Sequence, residues 1–197
     1  MPITTIFFIR HASVDYLQDP EKDLVVDLSP IGRTQAEGLA EKMTDSNVIS
    51  VANIYSSDLP RAIATIKPYA DKVGIPVERD NRLREHDYRG DPKVFHEAQK
   101  INPDFRHPGG EALHESGQRF IAAVGEIINK HFGQNIIIST HGTVFTEYMK
   151  NIFNKNDNFY FELSNPDIYK IQFEGLTAIS YRRLTELLPD QVKYTHP

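Results

Sequence analysis

Two histidines stand at matching places in the sequence, shortly after runs of apolar residues. His11 follows Arg10 and the apolar run over residues 6–9, and His141 follows the isoleucines at residues 136–138. Apolar runs of this length are typical of buried strands, and open α/β sheets bind their ligands where such strands end. Two histidines at such positions indicate a shared site more strongly than either would alone.

Two arginines indicate which ligand this site would hold. Arg10 precedes the first histidine, and Arg61 follows a polar segment that begins after a third apolar run ends at Tyr55. If the strands are neighbours, both arginines and both imidazoles converge on one crevice. Two permanently charged guanidinium groups disfavour a cation but bind phosphate through paired hydrogen bonds. Glu85 follows a short further strand and could place a carboxylate at the edge of the same pocket.

Strands and helices are predicted to alternate along the chain and to position these residues. The evidence is that apolar runs of strand length are separated by longer segments of helical period. We predict strands over residues 3–9, 51–55, 76–79, 135–140, 168–173 and 178–182. We predict helices that begin at Pro30 and near residues 60, 94, 111 and 143. This order predicts a single α/β domain over residues 1–197, with helices on both faces of a mostly parallel central sheet.

Three polar residues are expected at the starts of helices. Ser29 is the expected N-cap of the first helix, with Pro30 at its first position. Ser57 is expected to cap the second helix rather than contact substrate, although it could instead steady His11. Glu111 is expected to start the long fourth helix, where a carboxylate offsets the helix dipole.

Residues 87–110 contain Asp, Gly and Pro at short intervals and are expected to form a long excursion that covers the active site, with a short helix near residues 94–100. Two roles stay open for aromatic residues of this region and its surroundings, which either line the mouth of the pocket or pack the excursion. These residues are Tyr88, Phe95, Phe105 and Tyr160.

Five short motifs, in their order along the chain, resemble those of the histidine phosphatase superfamily, the group related to phosphoglycerate mutase. The motifs are Arg10-His11-Ala12, Ser57-Asp58-Leu59-Pro60-Arg61-Ala62, Leu83-Arg84-Glu85, Gly109-Gly110-Glu111 and Thr140-His141-Gly142. Residues 28–36 also resemble the helix-opening stretch of that family. Each tripeptide alone is a weak signal, but five in order are specific. The resemblance implies the three-layer αβα fold of phosphoglycerate mutase.

The resemblance also implies a phosphohistidine mechanism. His11 would attack phosphorus as a neutral imidazole and carry the phosphoryl group covalently. Arg10, Arg61 and His141 would bind the non-bridging oxygens and balance charge in the transition state. Glu85 would protonate the leaving alkoxide and then take a proton from the hydrolytic water. A carboxylic acid in this role must be partly desolvated, so we expect Glu85 to be partly buried.

The implied substrate-binding set further includes Ser13 and Gly142, and three departures from the family pattern bear on substrate choice. Ala12 and Ser13 replace the glycine and glutamate that often follow the nucleophilic histidine. Leu17 replaces an asparagine that contacts phosphate in many members, and residues 86–90 replace a stretch with glycine and tryptophan. The four residues of the phosphate core are unchanged.

We expect the chain to hydrolyse phosphomonoesters of small metabolites. Three alternatives stay open: a cofactor-dependent phosphoglycerate mutase, a non-catalytic phosphate-binding or interaction protein on the same fold, and a phosphatase that acts on protein phosphohistidine. The last would need an open, shallow pocket, and the excursion over residues 87–110 argues for a covered one. The short segment between Glu85 and His141 favours a phosphatase, because those mutases carry longer inserts. The presence of His11, Arg61 and Glu85 argues against a loss of catalysis. The residues do not identify the leaving group.

Composition excludes several classes of function. The chain has no cysteine, which rules out disulfides, thiolate nucleophiles and thiolate metal sites. With 22 Lys and Arg against 27 Asp and Glu, the formal charge is −5, which disfavours nucleic-acid binding. The longest apolar run, residues 120–124, is far shorter than the roughly 20 residues that span a bilayer. We expect a cytoplasmic protein that binds a small phosphorylated metabolite, binds neither nucleic acid nor membrane, and could form a homodimer.

We expect neither a cofactor nor a metal, because the arginines supply the positive charge that phosphoryl transfer requires. Four residues have side chains of the ligand type: His107, Glu111, His114 and Glu115. A Pro-Gly-Gly break separates the first two, and the spacing matches no common ligand set.

Overall fold

The computed structural model describes residues 2–15, 24–46, 49–155, 163–190 and 193–194. Strands within these ranges are β1 (Ile3–Arg10), β2 (Asn53–Ser56), β3 (Val77–Arg79), β4 (Asn135–Thr140), β5 (Ser164–Asn165), β6 (Asp167–Glu174), β7 (Thr177–Arg183) and β8 (Lys193–Tyr194). The helices are α1 (Pro30–Asp45), α2 (Pro60–Val73), α3 (Pro92–Ile101), α4 (Leu113–Lys130) and α5 (Gly142–Ile152). None of the helices described is both long and apolar enough to cross a membrane.

Six of the strands form one sheet in the order β3-β2-β4-β1-β6-β7. The first four run parallel, and β6 and β7 are antiparallel to their neighbours. This confirms the mostly parallel sheet and the closing strand pair that the sequence predicts. Strands β5 and β8 form a separate two-stranded sheet, and with two residues each they are too short to be predicted from an apolar pattern.

Helices cover both faces of the six-stranded sheet, because the side chains of its central strand alternate between two apolar cores. In β1, Ile6 and Phe8 pack with residues of α4 and α5. Phe7 and Ile9 pack instead with residues of α1 and α2. Because both faces of β1 are buried, its sequence is apolar at consecutive positions.

The predicted starts of α1 and α2, at Pro30 and Pro60, are confirmed, whereas the polar residues expected at the starts of α2 and α4 are corrected. Ser29 caps α1 through its hydroxyl, which accepts a hydrogen bond from Gly32 N at 3.1 Å. The N-cap of α2 is Leu59, and its side chain makes no capping hydrogen bond, so Ser57 does not cap this helix. Glu111 precedes α4, whose N-terminal side-chain contact comes from Glu115, 2.8 Å from Ala112 N. Both corrections arise because these polar side chains have other partners, described below.

Candidate active site

The exits of β1 and β4 bring the two strand-end histidines together. The strands are parallel neighbours in which Arg10 pairs with Thr140, so the next residue of each chain segment lies at the same edge of the sheet. His11 N donates to Thr140 O at 3.1 Å. The ring centroids of His11 and His141 are 5.2 Å apart. Both side chains are almost completely buried.

His11 is held in one tautomer. Its Nδ1 lies 2.8 Å from the carbonyl oxygen of Ala12, and a carbonyl only accepts, so Nδ1 carries the proton. Burial, followed by the guanidinium groups of Arg61 and Arg10, holds the pKa of His11 well below its ordinary value near 6.5. The ring is therefore neutral at pH 7, and its Nε2 keeps a lone pair.

Hydrogen bonds from two other elements fix the backbone at His11. Ala12 N donates to Thr65 Oγ1 of α2 at 2.9 Å, and Asn165 Nδ2 of β5 donates to the carbonyl oxygen of His11 at 2.8 Å. The methyl group of Ala12 packs with Leu28 and Ala36, on the side of α1. Sequence reasoning did not find Thr65 and Asn165, since each is remote in sequence and carries no local motif.

His141 is also neutral and has a polar partner of its own. Its Nε2 lies 2.9 Å from Ser57 Oγ, and the same hydroxyl accepts from Leu59 N at 3.2 Å. Burial, then Arg61, His11 and Arg10, hold the pKa of His141 well below its ordinary value near 6.5. Its Nδ1 is buried and has no hydrogen-bond partner among the residues described. If Ser57 donates to Nε2, the neutral ring presents Nδ1–H as a donor.

The two arginines surround this histidine pair with positive charge. Arg61 lies in the first turn of α2 and its exposed fraction is only 1%, which is rare for a charged residue. Arg10 is half-buried and its guanidinium lies against Gly142, where a Cβ would come within 3.0 Å of Nε and 3.1 Å of Cζ. Two guanidinium groups beside two neutral imidazoles form a site suited to an anion.

Glu85 reaches this edge of the sheet from the turn after β3. Its carboxylate accepts from Thr143 N at 3.1 Å and from Val144 N at 2.9 Å, both in the first turn of α5. It also accepts from His86 N at 3.0 Å. A carboxylate is favourable at a helix N-terminus. Glu85 is half-buried, in agreement with the expected partial desolvation.

Ser13 is tied to the start of α1 through its backbone. Its N donates to Gln35 Oε1 at 2.9 Å, and its carbonyl oxygen accepts from Ser29 N at 3.0 Å and Ser29 Oγ at 3.1 Å. At Gly32 a Cβ would lie 2.0 Å from that oxygen, which explains the glycine in this predicted motif. A contact between the Ser13 side chain and substrate stays a prediction, and Leu17 lies outside the described residues.

The excursion over residues 87–110 contains α3 and a cluster of aromatic and imidazole rings. Phe95 is fully buried at its centre, with ring centroids 4.7 Å from His86, 5.1 Å from Tyr88 and 5.9 Å from Phe105. Tyr88 also reaches α5, where its hydroxyl lies 3.3 Å from Thr143 Oγ1. The rings of the first three predicted aromatic residues therefore pack the excursion, and Tyr160 lies outside the described residues.

Three of the four ligand-type side chains of this region have ion-pair partners, and the ring of His107 packs against Phe105 at a centroid distance of 5.1 Å. Glu111 pairs with Arg119 at 2.6 Å, Glu115 with Arg106 at 2.9 Å, and His114 with Asp104 at 3.4 Å. In the part of the chain that the structure describes, no group of three His, Asp or Glu residues is arranged to hold a metal ion.

Known proteins resemble this chain in sequence and in fold. Phosphoglycerate mutase-like protein 4 of Arabidopsis thaliana is 35% identical over 156 residues, which is 71% of this chain and just under two thirds, 66%, of the plant protein. Glucosyl-3-phosphoglycerate phosphatase of Mycolicibacterium vanbaalenii is 34% identical over 87 residues, 43% of this chain and 37% of that protein.

A solved structure extends the likeness to almost the whole chain. The native structure of the mycobacterial glucosyl-3-phosphoglycerate phosphatase superposes with a TM-score of 0.74 at 22% identity, and it covers 92% of this chain and 97% of that one. This confirms the predicted three-layer fold. The family described as histidine phosphatase superfamily (branch 1) matches residues 6–179. The chain therefore belongs to the histidine phosphatase superfamily, and phosphatases are among its relatives.

Proposed function

We propose that this chain hydrolyses phosphomonoesters of small metabolites through a phosphohistidine on His11. The observation that carries the proposal is the tautomer of this residue. Its Nδ1–H is held by the Ala12 carbonyl oxygen at 2.8 Å, and its pKa is lowered by burial and by two arginines. Nε2 is thus a nucleophile at pH 7 without prior loss of a proton.

In the first step Nε2 of His11 attacks phosphorus, and the bond from phosphorus to the ester oxygen breaks. Arg10 and Arg61 bind the non-bridging oxygens, and Nδ1–H of His141 donates to one of them. Gly142 leaves room for the Arg10 guanidinium at this position. Positive charge and fixed donors at the equatorial oxygens are the main source of rate in phosphoryl transfer.

Glu85 moves the protons. As the acid it protonates the departing alkoxide, and as the base it takes a proton from the water that attacks the phosphorylated ring. The bond between phosphorus and Nε2 then breaks, and inorganic phosphate and neutral His11 are released. The contacts of Glu85 with Thr143 N and Val144 N support this role, since they hold the carboxylate at the N-terminus of α5, whose N-cap residue is His141.

The substrate would be a small phosphorylated metabolite whose leaving group lies under the excursion over residues 87–110. Tyr88 supports this placement because its hydroxyl contacts Thr143, one residue from Gly142. Ser13 is a further candidate contact at the opposite side, beside α1. The two arginines supply the charge for the reaction, so we propose that it needs no metal ion or cofactor.

The test is hydrolysis of 4-nitrophenyl phosphate in the presence of a chelator, with His11→Ala as the variant. His114→Ala is the matched control, because His114 is exposed on α4 outside the site. We expect turnover that resists the chelator, no effect in the control, and a loss of about 10³-fold or more in His11→Ala. An acid-labile phosphoryl adduct should form on the native chain only. Full activity of His11→Ala would overturn the mechanism.

A phosphoglycerate mutase is the second candidate, favoured by the 35% identity with the mutase-like plant protein. It would use the same phosphohistidine but return the phosphoryl group to a second substrate. Incubation with 3-phosphoglycerate separates the two, because a phosphatase releases inorganic phosphate whereas a mutase keeps phosphate on the glycerate. We expect release. If the native chain binds phosphate but neither releases nor transfers it, the chain is a phosphate-binding protein.

A further inference from the structure

Arg119 of α4 joins the helix to the turn that carries Glu85. Its guanidinium donates to the carbonyl oxygens of Arg82 at 2.6 Å, Arg84 at 3.2 Å and Glu85 at 3.3 Å. The same group forms a two-point pair with Glu111, at 2.6 Å and 3.2 Å. One side chain thus binds the backbone immediately before Glu85 and at Glu85 itself.

Glu111 binds the backbone on the other side of Glu85. Its carboxylate accepts from Asp87 N at 3.2 Å, and its own backbone N donates to Asp87 O at 3.2 Å. Its carbonyl oxygen lies 2.9 Å from Nε2 of His86, which therefore donates to it. The backbone before and after Glu85 is therefore bound by one ion pair, that of Arg119 with Glu111.

This ion pair differs from those on the surface of the molecule. The side chains of Arg119 and Glu111 are 23% and 21% exposed, whereas the partners in the nearby pair of Arg106 with Glu115 are 50% and 35% exposed. Partial burial lowers the screening by water, and the planar guanidinium can meet a carboxylate and several carbonyl groups at once. A lysine would keep the charge but not this fork of hydrogen bonds.

We propose that Arg119 and Glu111 are positioning residues for Glu85, and that their ion pair holds its carboxylate where proton transfer occurs. The inference rests on the proposed function, in which Glu85 is the acid and base. Neither residue touches the substrate in this account. Misplacement of a reacting group by about 1 Å can cost on the order of 10²-fold in rate, so a shift of this turn is expected to be visible in kinetics.

The prediction that separates positioning from a merely structural role concerns the leaving group. An alkoxide needs a proton from Glu85 to leave, whereas 4-nitrophenolate leaves without one. We therefore measure the rate of phosphoenzyme formation with glycerol 3-phosphate and with 4-nitrophenyl phosphate. The variants are Arg119→Lys, which keeps the charge, and Glu85→Gln, which removes the acid.

Arg82→Lys is the matched control. Arg82 also ties this turn to α4, through Glu126 at 2.8 Å, but its side chain pairs with Asp80 and Glu126 and, among the residues described, makes no hydrogen bond or ion pair with Glu85. We expect Glu85→Gln to slow phosphoenzyme formation from the alkyl ester by about 10²- to 10⁴-fold. Arg119→Lys should slow it by about 10- to 100-fold. Both should change the rate with the aryl ester less than threefold, and Arg82→Lys should leave both rates unchanged.

Failure of the proposed role of Glu85 and failure of the positioning role of Arg119 give different patterns of rates. If Glu85→Gln slows both esters equally, the proposed function of Glu85 is wrong. If Glu85→Gln shows the leaving-group effect but Arg119→Lys slows both esters equally, or neither, the positioning role is overturned. Should Arg119→Lys not fold, Glu111→Gln takes its place, because it leaves the three carbonyl contacts of Arg119 intact and removes only the charged partner. The same pattern of rates is then required of it.

Discussion

The strand exits and the excursion over residues 87–110 lie next to each other but are built differently. At the exits, His11, Arg61 and His141 are at most 1% exposed, and the two histidine rings are held by hydrogen bonds to Ala12 and Ser57. In the excursion, Phe95 is buried, whereas Val94 and Ile101 are 53% and 89% exposed. Charge acts most strongly where water is excluded, so the strand exits are the region that suits the proposed phosphate site.

Substitutions in the excursion should therefore disturb the strand exits less than substitutions at the exits themselves. The exits are part of the sheet, and a substitution there alters both the charges and the core that surrounds them. The excursion packs around its own ring cluster and reaches the N-terminus of α5 through the hydroxyl of Tyr88. Loops on a rigid scaffold are where related proteins differ in specificity.

The largest effect should follow from Arg61→Ala, which removes a buried charge from the strand exits. We expect kcat/KM to fall by about 10³-fold, since one donor to the transferred group is lost. The pKa of His11 should rise, because the guanidinium lowers it in the native chain. Steady-state kinetics and an NMR titration of the imidazole check both expectations. An unchanged titration would contradict the electrostatic coupling described above.

Gly142→Ala adds a single methyl group at the strand exits and tests the close approach of the Arg10 guanidinium. The new Cβ would lie 3.0 Å from Nε of Arg10, so the guanidinium must move, and we expect a loss of about 10- to 100-fold in kcat/KM. Gly125→Ala is the control, because a Cβ at this position in α4 meets nothing within 4 Å. It should keep full activity and raise the free energy of unfolding by about 0.5–1 kcal/mol. Equal activity of both variants would contradict the close approach.

Acid should destabilise the fold through the two buried histidines of the strand exits. His11 and His141 are buried and their pKa values are lowered, whereas in the unfolded chain they titrate near 6.5. Below that pH the unfolded chain binds more protons, so stability is complete above about pH 6.5 and declines as the pH falls.

Each of the two groups contributes a slope of up to about 1.4 kcal/mol per pH unit. Urea unfolding at pH 7.5 and 5.5 measures this slope, and His11→Gln should reduce it. The exposed His114→Gln serves as the control and should not. A slope that is the same in all three proteins would count against burial of a neutral His11.

The smallest effect is expected for Tyr88→Phe, in the excursion. The change removes a hydroxyl 3.3 Å from Thr143 Oγ1 and keeps the ring that packs on Phe95. We expect KM to change by no more than about fivefold, with different factors for different leaving groups, and the hydrolysis of the phosphoenzyme to stay unchanged. A panel of phosphomonoesters checks this. A uniform loss in kcat would place Tyr88 among the residues of the strand exits.

The elements of the main sheet could be predicted well from the sequence because their patterns are local. The run of isoleucines predicts β4 with both ends correct. Pro60 is the first residue of α2, and Gly74 directly follows its last residue. The histidines and arginines that meet at the site could also be predicted, since each lies next to such an element.

The partners of these residues could not be predicted, because they depend on contacts between distant parts of the chain. Ser57 has the composition of a helix cap, yet its hydroxyl binds His141 after the sheet is assembled. Glu111 stands where a helix start was expected, but Arg119 at 2.6 Å holds it outside α4. A single sequence does not distinguish a carboxylate that caps a helix from one that binds a remote guanidinium.

The position of β4 between β1 and β2 has a consequence for how the protein is made. Phe7 pairs with Ile137, so β1 obtains this neighbour only after the ribosome has translated the long segment up to β4. Contacts so remote in sequence form slowly, and the apolar β1 must meanwhile avoid other partners. His11 leaves the ribosome before His141, so the two imidazoles can meet only after β4 has been translated.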